Sequence, residues 1–315
     1  MLHPSTWLAY ITLSTSALTL PVYVLLVTLF LRNPHLKENT AYWLLANIGI
    51  LDCFFLVATV HTSVMTVFAT SPINVILFEF TFAMHRTYMS LLNLHMFLLA
   101  LNRVAVIFEL KLKHERIITK IASLFVWTMA IPQIAFHRLR WWPIEYRDYS
   151  FEYENYRYPI NSVFVALYYN TWNEIQTAAI VLTTLCHLIV VAVALVKKLQ
   201  FHEDFRIESE NVRIHIQAFA MFIPGLLCWA LVTFIDPETY TFTPEWKAFD
   251  ILVPRLIPTM NALICVALNR KVRSAFIVSF KPASERNEET EQNVIATTEE
   301  QSNVDPKCDI VVQQA

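Results

Sequence analysis

The sequence predicts an all-α integral membrane protein, a bundle of seven membrane-spanning helices, and three observations support this prediction. Of the 315 residues, 56% are hydrophobic and only 16% are charged, whereas about a quarter of the residues in a soluble domain are charged. Seven apolar stretches approach or exceed the roughly 20 residues that a helix needs to cross a bilayer. The chain contains only two glycines, which argues against folds that depend on glycine turns or phosphate-binding loops.

The seven apolar stretches define the predicted spans. Because lipid leaves backbone polar groups without external partners, spans that do not close into a barrel must be helical. No Lys or Arg precedes the first stretch, which also exceeds the core of a signal peptide, so we interpret it as a retained span. The third should tilt or project, and the fourth is the shortest. The spans are residues 7–31, 41–68, 76–108, 119–136, 173–196, 214–235 and 248–268.

Lys and Arg are concentrated on one side of the predicted bundle. The more basic side contains 15 of these residues and the opposite side contains 5. Because cytoplasmic loops carry the excess of basic residues, the N-terminus is predicted to lie outside and the C-terminus inside. The basic side comprises residues 32–40, 103–120, 197–213 and 269–281, and the opposite side comprises residues 1–6, 69–75, 137–172 and 236–247.

Polar segments flank the predicted spans. The seven-span domain is predicted to occupy residues 1–282, and residues 283–315 are predicted to form an acidic, disordered cytoplasmic tail with too few apolar residues to fold. The outer loop 137–172 is rich in Trp and Tyr, and it either anchors at the membrane interface or covers a ligand pocket. None of the five cysteines lies in a predicted outer segment, so we expect no structural disulfide, and no Cys or His spacing indicates zinc.

Ionisable side chains inside the spans cost free energy and mark functional or packing positions. In the second span, Asp52 either binds a sodium ion or water cluster or hydrogen-bonds within the bundle, and Asn47 is a candidate for bridging helices. The seventh span places Arg255 between Pro254 and Pro258, and each proline leaves a backbone carbonyl without its usual donor. A ligand pocket and an internal ion pair are both compatible with Arg255.

The third span carries a basic pair, His85 and Arg86. Arg86 precedes Arg103 by 17 residues, which in a helix corresponds to about 25 Å and places the pair near the outer leaflet. There the two side chains either face an outward-opening cavity, or Arg86 extends to the headgroups or pairs with Glu79.

Several of these positions resemble motifs of the rhodopsin-like receptor superfamily. Asp52 matches the second-span aspartate of that family, and Trp127 resembles its fourth-span tryptophan. Asn102-Arg103 resembles the Asp-Arg-Tyr motif, with an amide in place of the acid, so the resting-state ionic restraint of Arg103 lacks its usual partner. Asn261 resembles the first residue of Asn-Pro-x-x-Tyr.

The departures from these motifs resemble a narrower group, the nematode chemosensory serpentine receptors of the gamma-like superfamily, which includes classes T and V. Ala262 and Cys265 replace the proline and tyrosine of the seventh-span motif, and Cys228-Trp229 resembles the sixth-span switch without its usual following proline. Residues 48–52 and 99–103 carry the closest resemblance. Arg270 begins a segment similar to the short amphipathic helix of the family.

The resemblance implies a G-protein-coupled chemosensory receptor in the plasma membrane, with sensory cilia as a more specific location. Its implied partners are an extracellular small molecule, a heterotrimeric G protein, the lipid bilayer and an arrestin-like protein or kinase at the tail. We expect no cofactor, metal or nucleic acid. The candidate ligand-binding residues are His85, Arg86, Met89, Glu174, Trp229 and Arg255, and the candidate activation and coupling residues are Asp52, Asn102, Arg103 and Asn261.

Two other classes of protein are alternatives to a receptor. A seven-span transporter or ligand-gated channel would favour internal repeats and broken spans, but the sequence shows no repeat and only two glycines. An intramembrane enzyme would need paired catalytic groups, and Asp52 has no matching aspartate in another span and no HExxH motif occurs. The chain is therefore not expected to be an enzyme.

Overall fold

The computed structural model describes residues 4–37, 39–68, 75–110, 114–138, 163–201, 210–234 and 244–279. These parts of the chain contain helices and turns but no β-strand, which agrees with the predicted all-α class. The helices are α1 (Pro4–Arg32), α2 (Pro34–Lys37), α3 (Thr40–Phe68), α4 (Val75–Ile107), α5 (Glu115–Arg138), α6 (Val163–Phe201), α7 (Glu210–Phe234), α8 (Pro244–Leu268) and α9 (Arg270–Ser279).

Helix α4 lies at the centre of the bundle, where it packs against α3, α5, α6 and α7. Helix α1 packs against α3 and α8, and α8 packs against α7. The buried apolar core joins α1, α3, α4, α7 and α8, with Tyr42, Phe55, Tyr88 and Phe222 among its largest fully buried side chains. Polar side chains that project from any of these helices toward the core therefore meet several neighbouring helices.

The length and composition of the helices identify a multi-pass membrane protein. Within the described residues, five helices are long and apolar enough to span a bilayer, and a sixth qualifies if α8 and α9, which meet at a 97° bend, are taken together. Helix α5 is less apolar, but its outward side chains Ile121 and Leu124 are 61% and 64% exposed. Large exposed aliphatic side chains on a long helix are expected where it faces lipid.

The helices differ from the predicted spans mainly at their ends. Helix α6 begins at Val163, ten residues before the predicted fifth span, so residues 163–172 of the predicted outer loop are helical. Helix α5 extends beyond both ends of the predicted fourth span. Residues 139–162, which contain the predicted aromatic lid, and the predicted tail 283–315 lie outside the described residues. The predicted amphipathic segment forms α9, in which Val272 is buried and Arg270 is exposed.

The two glycines lie where helices approach closely. A Cβ atom on Gly49 of α3 would come within 2.8 Å of Val27 Cγ2 on α1. A Cβ atom on Gly225 of α7 would lie 3.4 Å from Asn93 Oδ1 on α4. The contact at Gly49 is too short for a side chain, and the contact at Gly225 is only slightly tight, so Gly49 has the stricter requirement for glycine.

Candidate functional site

A buried carboxylate in the middle of the bundle joins four helices. Asp52 of α3 is fully buried, and its Oδ1 accepts a hydrogen bond from the Tyr88 hydroxyl of α4 at 2.6 Å. Its Oδ2 accepts from the Tyr23 hydroxyl of α1 and from Asn261 Nδ2 of α8, the latter at 3.2 Å. Hydrogen bonds to an ionised group are stronger than those between neutral groups. Three protein donors thus surround Asp52, which favours internal hydrogen bonding over the sodium-binding alternative.

The sequence analysis did not identify the two tyrosines of this junction. Both are buried, Tyr88 completely and Tyr23 to 2% exposure. The Tyr88 ring stacks on Phe55 with centroids 3.9 Å apart and planes 17° apart, which fixes the direction of its hydroxyl. A buried tyrosine hydroxyl normally finds a partner, so a tyrosine in the middle of an apolar span near an aspartate is the signal that would have indicated this cluster.

A second polar cluster lies near the C-terminal end of α4. Arg103 and Asn102 are 3% and 7% exposed. Arg103 Nη2 donates to Asn102 Oδ1, and Asn102 Nδ2 donates to Glu115 Oε1 of α5 at 2.7 Å. Arg103 is therefore connected to the Glu115 carboxylate through the side-chain amide of Asn102. Sequence reasoning did not assign a role to Glu115.

Two histidines meet between α6 and α7. The rings of His187 of α6 and His215 of α7 have centroids 5.1 Å apart. The His187 ring also contacts Phe219 and Phe222 of α7, with centroids 5.2 and 5.6 Å away. Within the described residues, Nδ1 of each histidine is buried without a hydrogen-bond partner. These ring contacts connect α6 to α7.

A third polar cluster connects the N-terminal half of α7 to α8 and α3. Asn269, directly after α8, donates from Nδ2 to Gln217 Oε1 of α7 at 2.9 Å and contacts the Tyr42 hydroxyl of α3 at 3.1 Å. Gln217 Nε2 donates to Cys265 Sγ at 3.1 Å. Gln217 and Tyr42 are fully buried. Sequence reasoning missed Gln217, although an amide in an apolar span is a recognisable signal.

The predicted bridging role of Asn47 is visible in the structure. Trp127 Nε1 of α5 donates to Asn47 Oδ1 of α3 at 3.0 Å. The Trp127 ring also meets the His95 ring of α4 edge to face, with centroids 5.6 Å apart, and Ser123 Oγ lies 3.4 Å from His95 Nε2. These contacts hold α3, α4 and α5 together.

The candidate ligand-binding residues lie in different environments. Arg255 of α8 is 3% exposed, whereas Glu174 of α6 is exposed. His85 is half-buried on α4, where Nδ1 lies 2.8 Å from the Thr81 carbonyl oxygen and the ring lies 5.0 Å from that of Phe55. The side chain of Arg86 lies outside the described residues.

Met89 and Trp229 lie where α4, α6 and α7 meet. Met89 Cε is 4.0 Å from the position that a Cβ atom on Gly225 would take, one helical turn from Trp229. Trp229 is half-buried, and its Nε1 donates to Thr177 Oγ1 of α6 at 3.3 Å. The structure thus places Met89 and Trp229 in one region, and it leaves exposed Glu174 outside the buried part of the bundle.

The comparisons with known proteins match this chain by structure and not by sequence. No protein-family model and no curated protein matches the sequence. The crystal structure of squid rhodopsin superposes with a TM-score of 0.70 over 92% of this chain and 95% of the rhodopsin chain, at 13% sequence identity. The likeness confirms the predicted fold, a rhodopsin-like bundle of seven membrane-spanning helices.

Proposed function

We propose that this protein is a G-protein-coupled chemosensory receptor, that it binds a small extracellular molecule, and that it is a divergent nematode serpentine receptor of the gamma-like superfamily. The observation that carries the proposal is a line of polar contacts along α8. Arg255 is buried at the middle of the helix, Asn261 donates to Asp52 in its C-terminal half, and Asn269, directly after the helix, donates to Gln217. From Arg255 to Asn269 this line extends about 21 Å.

One continuous helix therefore contacts the candidate ligand region, the buried carboxylate and α7. A ligand that shifts or rotates α8 would change the geometry at Asp52 and at the Asn269–Gln217 hydrogen bond together. A ligand shifts a two-state equilibrium only through a difference in affinity for the two states. A movement of α8 relative to α7 would change the hydrogen bonds of Asn261 and Asn269, so these bonds would differ between the two states.

The ligand class follows from the buried guanidinium. Arg255 presents several donors in a fixed planar arrangement, which matches carboxylate and phosphate groups. A small organic acid, or another molecule with an anionic group, is the proposed ligand. It would enter from the outside, between α4, α6, α7 and α8, with Met89 and Trp229 contacting its apolar part. His85, Arg86 and Glu174 complete the proposed set, and Glu174 would act at the rim because it is exposed.

The remaining assignments rest on the charge distribution of the sequence, which gives the orientation, and on the resemblance to the nematode receptors. The N-terminus lies outside and the basic segments lie inside, next to the G protein, in the plasma membrane and in sensory cilia. Arg103 is the residue that meets the G protein, and the acidic tail 283–315 is the proposed contact for a kinase or an arrestin-like protein. Surface labelling of an N-terminal tag in intact cells tests this orientation. A tag that becomes labelled only after permeabilisation would contradict it.

A signalling screen against small organic acids and odorants in cells that express the protein tests the function. The variant Arg255→Ala should abolish the response at unchanged surface expression, and Arg255→Lys should weaken it because the planar fork is lost. Arg270→Ala, which removes an exposed cation just after α8, is the matched control for the pocket and should bind the ligand found in the screen as the parent chain does. An unchanged dose–response of Arg255→Ala would remove Arg255 from the pocket. A ligand-gated current in bilayers without G protein would favour a channel instead.

A further inference from the structure

The start of α5 lies close to the buried Arg103 at the end of α4. His114 has a left-handed backbone, with φ of 76°, and its carbonyl accepts hydrogen bonds from the amides of Ile117 and Ile118 at 2.9 and 3.0 Å. Histidine is among the residues that adopt this conformation more often than most. The turn places Glu115 at the first residue of α5, next to Asn102. A carboxylate in the first turn is also stabilised by the helix dipole.

We propose that Glu115 is the acid that restrains Arg103 in the resting state, and that it acts through the side-chain amide of Asn102. The inference rests on the proposed coupling function of Arg103. An amide is suited to this position because its oxygen accepts from a cation while its N–H group donates to an anion. The observed bonds follow this order: Arg103 donates to Asn102, and Asn102 donates to Glu115. Asn102 thus aligns its dipole between the two charges.

The burial of Arg103 explains why such a restraint regulates coupling. At 3% exposure, the guanidinium is closed to any cytoplasmic protein. To meet a G protein it must leave Asn102, and the equilibrium between held and released arginine then sets the basal activity. The other described acid of this loop, Glu109, instead pairs with Lys197 of α6 at 3.1 Å, and its side chain is 79% exposed. The geometry therefore assigns the restraint to Glu115 and not to Glu109.

The first test is basal nucleotide exchange on a panel of Gα subunits in membranes that contain the full chain, without added ligand. Glu115→Ala should raise basal exchange by at least about fivefold, the low end of typical coupling between two sites. Glu115→Gln retains an acceptor for Asn102 but loses the charge, so its increase should be smaller. Glu109→Gln is the matched control, and basal exchange should equal that of the parent chain.

The double variant Asn102→Asp/Glu115→Gln moves the acid from position 115 to position 102. The new aspartate accepts from Arg103 directly, and the glutamine introduced at position 115 donates to that aspartate. Basal exchange should return to the level of the parent chain. A role of Glu115 in folding alone would not predict this rescue, and surface expression of each variant separates misfolding from release.

A distance measurement independent of the G protein separates this inference from the proposed function. Spin labels at Ile121→Cys on α5 and Ile216→Cys on α7, both exposed, are placed in a chain whose Cys53 and Cys308 are replaced by serine. In Glu115→Ala the longer-distance population should grow, as expected if release of Arg103 frees α7.

Each outcome decides one of the two ideas. A longer distance with no exchange on any Gα subunit would support the restraint and contradict G-protein coupling. Ligand-stimulated exchange in the parent chain, with basal exchange and distance both unchanged in Glu115→Ala, would overturn the restraint and leave the proposed function standing.

Discussion

Replacing Tyr88 with phenylalanine removes one hydroxyl group from the buried carboxylate and leaves the aromatic stacking in place. Tyr88 donates to Asp52 Oδ1 at 2.6 Å, and both side chains are fully buried. A hydrogen bond to a charged group contributes about 1.5–3 kcal/mol, and the acceptor left behind cannot be satisfied by bulk water. The free energy of unfolding should therefore fall by about 1.5–3 kcal/mol, because Asp52 keeps only two of its three donors.

The measurement is the thermal unfolding of purified protein in one detergent. At an unfolding entropy of about 2.1 cal/mol/K per residue, 1 kcal/mol corresponds to roughly 1.7 °C for a bundle of about 280 residues, so the melting temperature of Tyr88→Phe should fall by roughly 3–5 °C. Tyr42→Phe is the matched control, since this tyrosine is equally buried but contacts the neutral Asn269 amide at 3.1 Å. Its expected cost is smaller, about 0.5–1.5 kcal/mol. A cost of Tyr88→Phe no larger than that of Tyr42→Phe would contradict a charged hydrogen bond at Asp52.

A double-mutant cycle with Asp52→Asn identifies the cause of the loss. If the hydroxyl acts through the carboxylate, the effect of Tyr88→Phe should shrink in the Asp52→Asn background, with a coupling energy of about 0.5–3 kcal/mol. Additive effects would mean that the Tyr88 hydroxyl stabilises the bundle independently of the Asp52 carboxylate.

Three further predictions follow from the glycines and the other polar clusters. Gly49→Ala should destabilise the protein by about 1–3 kcal/mol through overpacking. Gly225→Ala should be neutral or stabilising, because alanine favours the helical conformation. A thermal-unfolding experiment in which Gly225→Ala is the less stable variant would contradict the 2.8 and 3.4 Å contacts. Gln217→Leu removes the bond between α7 and Asn269 and should raise basal nucleotide exchange; a decrease would show that this bond serves the active state. Trp127→Phe should cost about 1–2 kcal/mol without changing basal exchange, and altered exchange would place that contact in the activation path.

Hydropathy predicted most of the fold because the bilayer imposes a length and a composition on each span. The prediction failed at the start of α6, where the polar residues Asn170 and Asn173 lower the apolar signal although the helix continues to Val163. The bilayer constrains only the part of a helix that crosses it. A helix that extends beyond the membrane carries no hydropathy signal at its end.

The candidate site was predicted in part, and the missed residues share a physical cause. Asp52 was noticed because a charge in a span is rare. Tyr23 and Tyr88 were missed because tyrosine is also enriched at membrane interfaces, so its presence near a span does not by itself indicate a buried hydrogen bond. Glu115 was missed for a different reason. It comes next to Asn102 through a left-handed turn at His114, and no periodic pattern in the sequence records such a turn.

The most direct test of the receptor account is nucleotide exchange by a Gα subunit in membranes that contain either the parent chain or Arg103→Ala, with an acid ligand found in the screen. Ligand should stimulate exchange in the parent chain, and Arg103→Ala should lose this stimulation while it still binds the ligand. Equal stimulation by the two proteins would contradict the proposed coupling, because the buried arginine would then have no part in it.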